Sequence, residues 1–276
     1  MSMPEINNPT SVSSIASWLE LIVSFYEESL SKATLSSYIE ESSGDEPEPS
    51  LLDNVWSSLT YRQHLYGQNS PFSVESREIV RSIENGEIPF YLMFLLLERE
   101  GNNTDVNNTA KLFEQLSCIA VKNYMNGEAI IHGFPKQLSY QDLASKIGVR
   151  YNFAPAPNFK DRGVDIIGWK PFLDERGSHI VGLFQCAAGS NWKSKLTDVP
   201  LHAWKNYLSF CDSIPFKGFI TPHLIESDNE QFFETSLAGG VIMDRPRLYR
   251  FLYNSLDSTL KGDVKSWCEE KIKSLR

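Results

Sequence analysis

"DRGVDIIGW" occupies Asp161–Trp169, and "FQCAAG" follows at Phe184–Gly189. Each lies in an apolar run of strand length, "GVDIIGWKPF" and "HIVGLFQCAA". Between them "LDERGS" (Leu173–Ser178) is short enough to join two antiparallel strands. Asp165 then stands on the first strand and Gln185 on the second. Paired strands lie about 4.8 Å apart, so the two side chains can converge on one face. Gln185 offers an amide oxygen, Cys186 a backbone carbonyl, and Glu114, on a preceding helix, a carboxylate. Oxygen donors of this kind suit a hard divalent cation. Plainer roles also fit: Asp165 as a turn or salt-bridge residue, Gln185 as a satisfied core amide, Glu114 as a solvated helix residue. Cys186 reads as a small buried hydrophobe rather than a nucleophile.

The hairpin has a mixed neighbourhood. "TAKLFEQLSCIAVKNYMNG" (Thr109–Gly127) predicts a helix with Leu112, Leu116, Ile119 and Ala120 on one face, stopped at Gly127. "EAIIHGF" predicts a strand, and "SYQDLASKIG" a short helix opened by Ser139. A helix near 200–210, strands at Phe216–Ile225 and Gly239–Asp244, and helices near 246–258 and 263–275 complete the chain, the last opened by Asp263. The class is α/β with a central sheet flanked by helices.

Residues 1–105 read as a separate all-helical module, with residues 106–276 as the second domain. Helices are expected over Ser14–Lys32, 51–65, 74–85 and 88–100, with "EESSGDEPEPS" (Glu40–Ser50) as an exposed loop. "GNNTDVNN" (Gly101–Asn108) is the turn-rich boundary. The apolar run "IPFYLMFLLL" (Ile88–Leu97) has half the roughly 20 residues that a membrane span needs, and reads as a buried helix.

The chain of 276 residues has a net charge of −9, which argues against indiscriminate phosphate binding. The acidity is local: residues 1–110 hold 5 Lys/Arg against 17 Asp/Glu, leaving 21 against 18 for the remainder. The second part can therefore carry a basic groove. The four cysteines form no CxxC pair and the five histidines show no ligand spacing, which argues against a zinc site. Single scattered cysteines and no leader pattern in "MSMPEINNPTSVSS" predict a cytoplasmic protein. No aromatic pattern of the kind that stacks on unpaired bases is visible along the chain.

"LFEQL", then "DRGVDII", then "FQC" resembles the PD-(D/E)xK nuclease superfamily, and particularly its restriction-endonuclease-like, Mrr-type branch. The resemblance covers about residues 109–245 and implies a Mg²⁺- or Mn²⁺-dependent DNA endonuclease. Asp165 would be the principal metal ligand and Gln185 would take the second position. Glu114 would be the helical acid, and Cys186 would add its carbonyl. Asp161 and Gly163 complete the DxGxD pattern. It further implies duplex DNA as substrate, a homodimer, and a bacterial role against foreign DNA; the helical module could dock a partner protein. One departure stands out. The family's lysine belongs two residues after Gln185, where this chain has Ala187. Lys193 or Lys195, and more weakly Lys160, could replace it. Otherwise the chain is an inactive nuclease-like subunit that binds nucleic acid or scaffolds a defence complex.

Overall fold

The computed structural model describes residues 3–83, 88–100, 106–133, 138–159, 161–172, 174, 176–210, 214–225 and 229–275. They fall into two compact units, Met1–Glu100 with Asp257–Arg276, and Gly101–Leu256.

The first unit begins with α1 (Val12–Leu21), whose cap Ser11 accepts the Ser14 amide at 3.3 Å. A wider helical turn over Ile22–Tyr26 ends it, well short of Lys32. There follow β1 (Ser29–Ser31), α2 (Lys32–Ser43), α3 (Pro49–Tyr66), β2 (Phe72–Val74), β3 (Glu78–Arg81) and α4 (Pro89–Glu100). The three strands form an antiparallel sheet in the order β1-β3-β2. The unit is therefore not all-helical, and no helix spans 74–83. Each of β2 and β3 buries a single residue, Phe72 and Ile79, in segments too short for an alternating pattern to show in the sequence. Helix α4 is buried from Pro89 to Leu97, as its apolar run requires.

An ion pair lies inside this unit. Glu20 and Arg62 are both fully buried, with Arg62 Nη1 donating to Glu20 Oε1 at 2.8 Å. The hydroxyls of Tyr66 and Tyr91 donate to Glu20 Oε2 at 2.9 and 2.5 Å. Ser17 and Ser13 accept from the guanidinium.

The second unit runs α5 (Val106–Met125), β4 (Glu128–Ile131), α6 (Tyr140–Ile147), β5 (Arg150–Tyr151), β6 (Ile166–Lys170), β7 (Ile180–Cys186), α7 (Leu201–Tyr207), β8 (Leu208–Ser209), β9 (Phe216–Ile220), α8 (Asn229–Gly239), β10 (Val241–Met243) and α9 (Arg245–Leu252). Five strands make the main sheet, ordered β10-β9-β7-β6-β4. Strands β4, β6 and β7 are antiparallel, and the predicted hairpin forms with Ile166 opposite Phe184. Strands β7, β9 and β10 are parallel, which demands crossovers. Helix α7 makes the first and α8 the second. Helix α8 escapes the sequence reading because Phe233 and Leu237 point outward, blurring its apolar stripe. Helix α5 covers one face so closely that a Cβ at Gly168 would sit 2.5 Å from Val121 Cγ1. Tyr140, Leu143, Ile167, Leu183 and Trp204 fill the other face. This is the mixed α/β sheet with flanking helices that the sequence predicts.

Helix α10 (Ser258–Ser274) is capped by Asp257, which accepts the Leu260 amide at 2.8 Å; Asp263 lies within the helix and does not open it. It belongs to the first compact unit rather than to the second, where the sequence reading places it. Its buried residues include Leu260, Val264 and Cys268, and the Cys268 thiol donates to the Pro89 carbonyl on α4. Among the described residues no helix is long and apolar enough to cross a membrane.

Candidate functional site

The turn before β6 fixes Asp165. Arg162 and Gly163 both take left-handed φ angles, 53° and 70°. The Asp161 carboxylate accepts the Gly163 amide at 3.0 Å, closing the turn. A Cβ at Gly163 would lie 2.6 Å from the Asp198 carbonyl, so both conformation and contact call for glycine here. Asp165 is then tied on both sides. Its amide donates to the Phe184 carbonyl at 2.9 Å, and its own carbonyl accepts from the His132 and Gly133 amides at 2.6 and 3.1 Å.

The Asp165 carboxylate uses Oδ2 to accept the Cys186 amide at 2.7 Å. Its Oδ1 faces Gly133, where an added Cβ would lie 3.6 Å away; the two Glu114 oxygens lie 3.5 and 3.6 Å from the same point. The carboxylates from α5 and from the head of β6 thus meet over a residue that has no side chain. Cys186 contributes through its N–H, which holds the carboxylate. Its thiol is pushed well above the usual range by burial and by Asp165 and Glu114.

Burial, with neighbouring negative charge added to it, shifts both acids. Burial, then Asp165, then Asp161 push Glu114 up to about 7. Burial also pushes Asp165 up to about 6; the Cys186 amide opposes this, Asp161 and Asp198 add to it, and Lys195 pulls the other way. The folded state therefore holds protons that the unfolded chain releases. The stability tied to those protons is present below pH 4 and is lost as pH rises through about 6 and 7. In EDTA the chain is expected to lose about 2 kcal/mol from this source between pH 4 and pH 8, since solvent reaching these half-buried groups offsets part of the burial penalty and of the repulsion. Urea unfolding of the wild type against Asp165→Asn checks it: the difference must grow with pH, and a difference flat in pH contradicts it.

Gln185 follows Phe184 in β7, and the β6–β7 register carried one step further sets it beside Asp165. It is buried, and its Nε2 donates to Asp198 Oδ2 at 3.2 Å. Its Oε1 is buried with no hydrogen-bond partner among the described residues. Such an atom costs about 1–3 kcal/mol unless something supplies it with positive charge or a proton. Asp198, which nothing in the sequence singles out, thereby joins the site by orienting Gln185.

The lysines separate. Lys195 ends the short helical turn Trp192–Lys195, is half-buried, and its charge reaches Asp165. Lys193 is exposed and holds its ammonium 5.6 Å from the Trp192 ring centre. Lys160 lies outside the described residues. Ala187 is buried among Trp192, Phe219, Ile225 and Ile242. A lysine there would put its charge in an apolar cluster, so this fold has no place for the amine at that position.

Among the described residues no three His, Cys, Asp or Glu side chains gather in a metal cage. Two carboxylates and one unsatisfied amide oxygen nevertheless match a Mg²⁺-like ion, which keeps several waters and takes one or two protein carboxylates. The donor set fits the ion that the resemblance implies.

No family model and no curated protein matches the chain. A solved structure titled "Structure of restriction endonuclease FokI" is similar at 10% identity and a TM-score of 0.23, covering 89% of this chain and 45% of that one. The chain thus aligns with less than half of that protein, and a likeness this distant carries no weight. The functional reading rests on the site itself.

Proposed function

We propose that the second unit is a divalent-metal-dependent nuclease that hydrolyses phosphodiester bonds in DNA. The observation that carries this is the meeting of Glu114 and Asp165 over Gly133, with Lys195 within electrostatic reach. Asp165 and Glu114 would hold Mg²⁺ or Mn²⁺, with Gln185 Oε1 as a third oxygen. The ion supplies the charge that polarises the phosphoryl group. The Cys186 amide fixes the orientation of Asp165. Glu114, ionised beside the ion, would also orient the attacking water. Lys195 offers positive charge to the phosphate as negative charge develops, the task left vacant by Ala187. A role against foreign DNA, a homodimer and a partner protein on the first unit extend the same proposal.

The alternative, a non-catalytic nuclease-like subunit, draws on Ala187 in its apolar cluster. Plasmid DNA incubated with the full chain in Mg²⁺ or Mn²⁺ decides between them. Nicking or linearisation is expected, with Lys195→Ala about 100-fold slower and Lys193→Ala close to wild type. No cleavage of the plasmid, nor of a single-stranded DNA of equal length, with either ion would overturn the enzymatic reading. Full activity of Lys195→Ala would remove that residue's role.

A further inference from the structure

A ladder of aromatic and basic side chains leads from the β5–β8 pair to the turn before Asp165. Tyr151, Phe153 and Phe159 leave 38, 53 and 43% of their surface exposed. The segment is pinned to the end of α7: the Asn152 amide donates to the Tyr207 carbonyl at 3.0 Å, and its side-chain Nδ2 to the Asn206 carbonyl at 3.2 Å. Phe153 sets its ring nearly perpendicular to Tyr207, centres 5.4 Å apart. The Arg162 guanidinium lies 3.5 Å over the Phe159 ring and 5.8 Å from the Tyr207 ring, and its Nε donates to the Tyr207 hydroxyl at 2.8 Å. Phe153, Tyr207, Arg162 and Phe159 thus form one connected row. Arg150 is exposed on β5 beside it.

The row ends beside Asp161, whose charge is felt by both Glu114 and Asp165. An unpaired base needs an open ring face to stack on, and its phosphate needs a nearby cation. Phe153 and Phe159 supply exposed ring surface and Arg162 the cation, with the buried Tyr207 ring holding the row together beside Asp161. In a duplex the base faces are already covered by their neighbours. We infer that this ladder binds unpaired nucleotides, so that the site takes single-stranded DNA in preference to the duplex that the family resemblance implies. The sequence does not show it, because Phe153, Phe159, Arg162 and Tyr207 are brought together only by the fold. As a cleavage preference the inference rests on the nuclease reading; as a binding site it stands by itself.

Fluorescence anisotropy tests it on the full chain, in EDTA so that cleavage cannot enter. The probes are a labelled oligo(dT) of about 20 nucleotides, longer than one stacking site requires, and a duplex of equal length. The single strand is expected to bind at least tenfold more tightly. Phe153→Leu and Phe159→Leu, which keep apolar bulk at exposed positions, should each weaken it about tenfold and leave the duplex unchanged. Circular dichroism confirms that both variants are folded. Equal or tighter duplex binding, no binding of oligo(dT), or folded leucine variants that bind like wild type would each overturn the inference. Cleavage of plasmid alongside unaltered binding by the leucine variants would sink the ladder and keep the nuclease. Ring-dependent oligo(dT) binding without any cleavage would keep the ladder and sink the nuclease.

Discussion

Asp165→Asn is expected to lower metal-dependent cleavage about a thousandfold or more while leaving the chain folded. The backbone of Asp165 is held by Phe184 of β7 and by His132 and Gly133 just after β4, and the Cys186 amide holds its Oδ2. Asparagine keeps the shape and one oxygen acceptor but removes the charge that a divalent cation needs beside Glu114. A loss of that size, about 4 kcal/mol of transition-state stabilisation, is in the range for removing a principal electrostatic contact. The same substitution removes a buried carboxylate whose ionisation burial opposes, and takes its negative charge away from Glu114. Without metal at pH 8 the variant should therefore unfold at the same or higher urea concentration than wild type. Loss of activity with lowered metal-free stability would mean that Asp165 is a structural residue.

Glu20→Ala should cost about 3–5 kcal/mol of stability, the largest loss expected for a residue outside the candidate site. It leaves the buried Arg62 guanidinium without its counter-charge and takes the acceptor from the Tyr66 and Tyr91 hydroxyls. The pair as a whole adds little, because desolvation offsets attraction. The double replacement Glu20→Leu with Arg62→Met should accordingly recover most of the loss. Urea unfolding of the full chain checks both. A double variant no better than Glu20→Ala would show that the wider hydrogen-bond network, rather than charge pairing, holds this core.

What could be read in the sequence follows the length and regularity of each element. Leu112, Leu116 and Ala120 recur at helical spacing over about two and a half turns of α5 and are buried, while Ile119, expected on the same face, is partly exposed. The Ile166–Lys170 and Ile180–Cys186 strands were legible because both are continuous apolar runs around a short connection. Strands β1 to β3 hold only three or four residues each and fall below the length at which alternation shows. In α8, Phe233 and Leu237 face outward and contradict the pattern of a packed helix. At the site, Glu114 and Gln185 stand on α5 and β7 and Asp165 at the head of β6, where motif spacing marks them. Asp198 and the choice of Lys195 over Lys193 depend on how one turn after β7 folds back, which residue types do not specify. The stacking row was invisible for the same reason: Tyr207 lies 45 residues from Arg162.

The account stands on Glu114 and Asp165 holding one divalent cation together. Calorimetric titration of the full chain with Mn²⁺ measures this before any substrate is added. One saturable site per chain is predicted, lost in Asp165→Asn and weakened in Glu114→Gln. Binding of Mn²⁺ by Asp165→Asn as tightly as by wild type would contradict it.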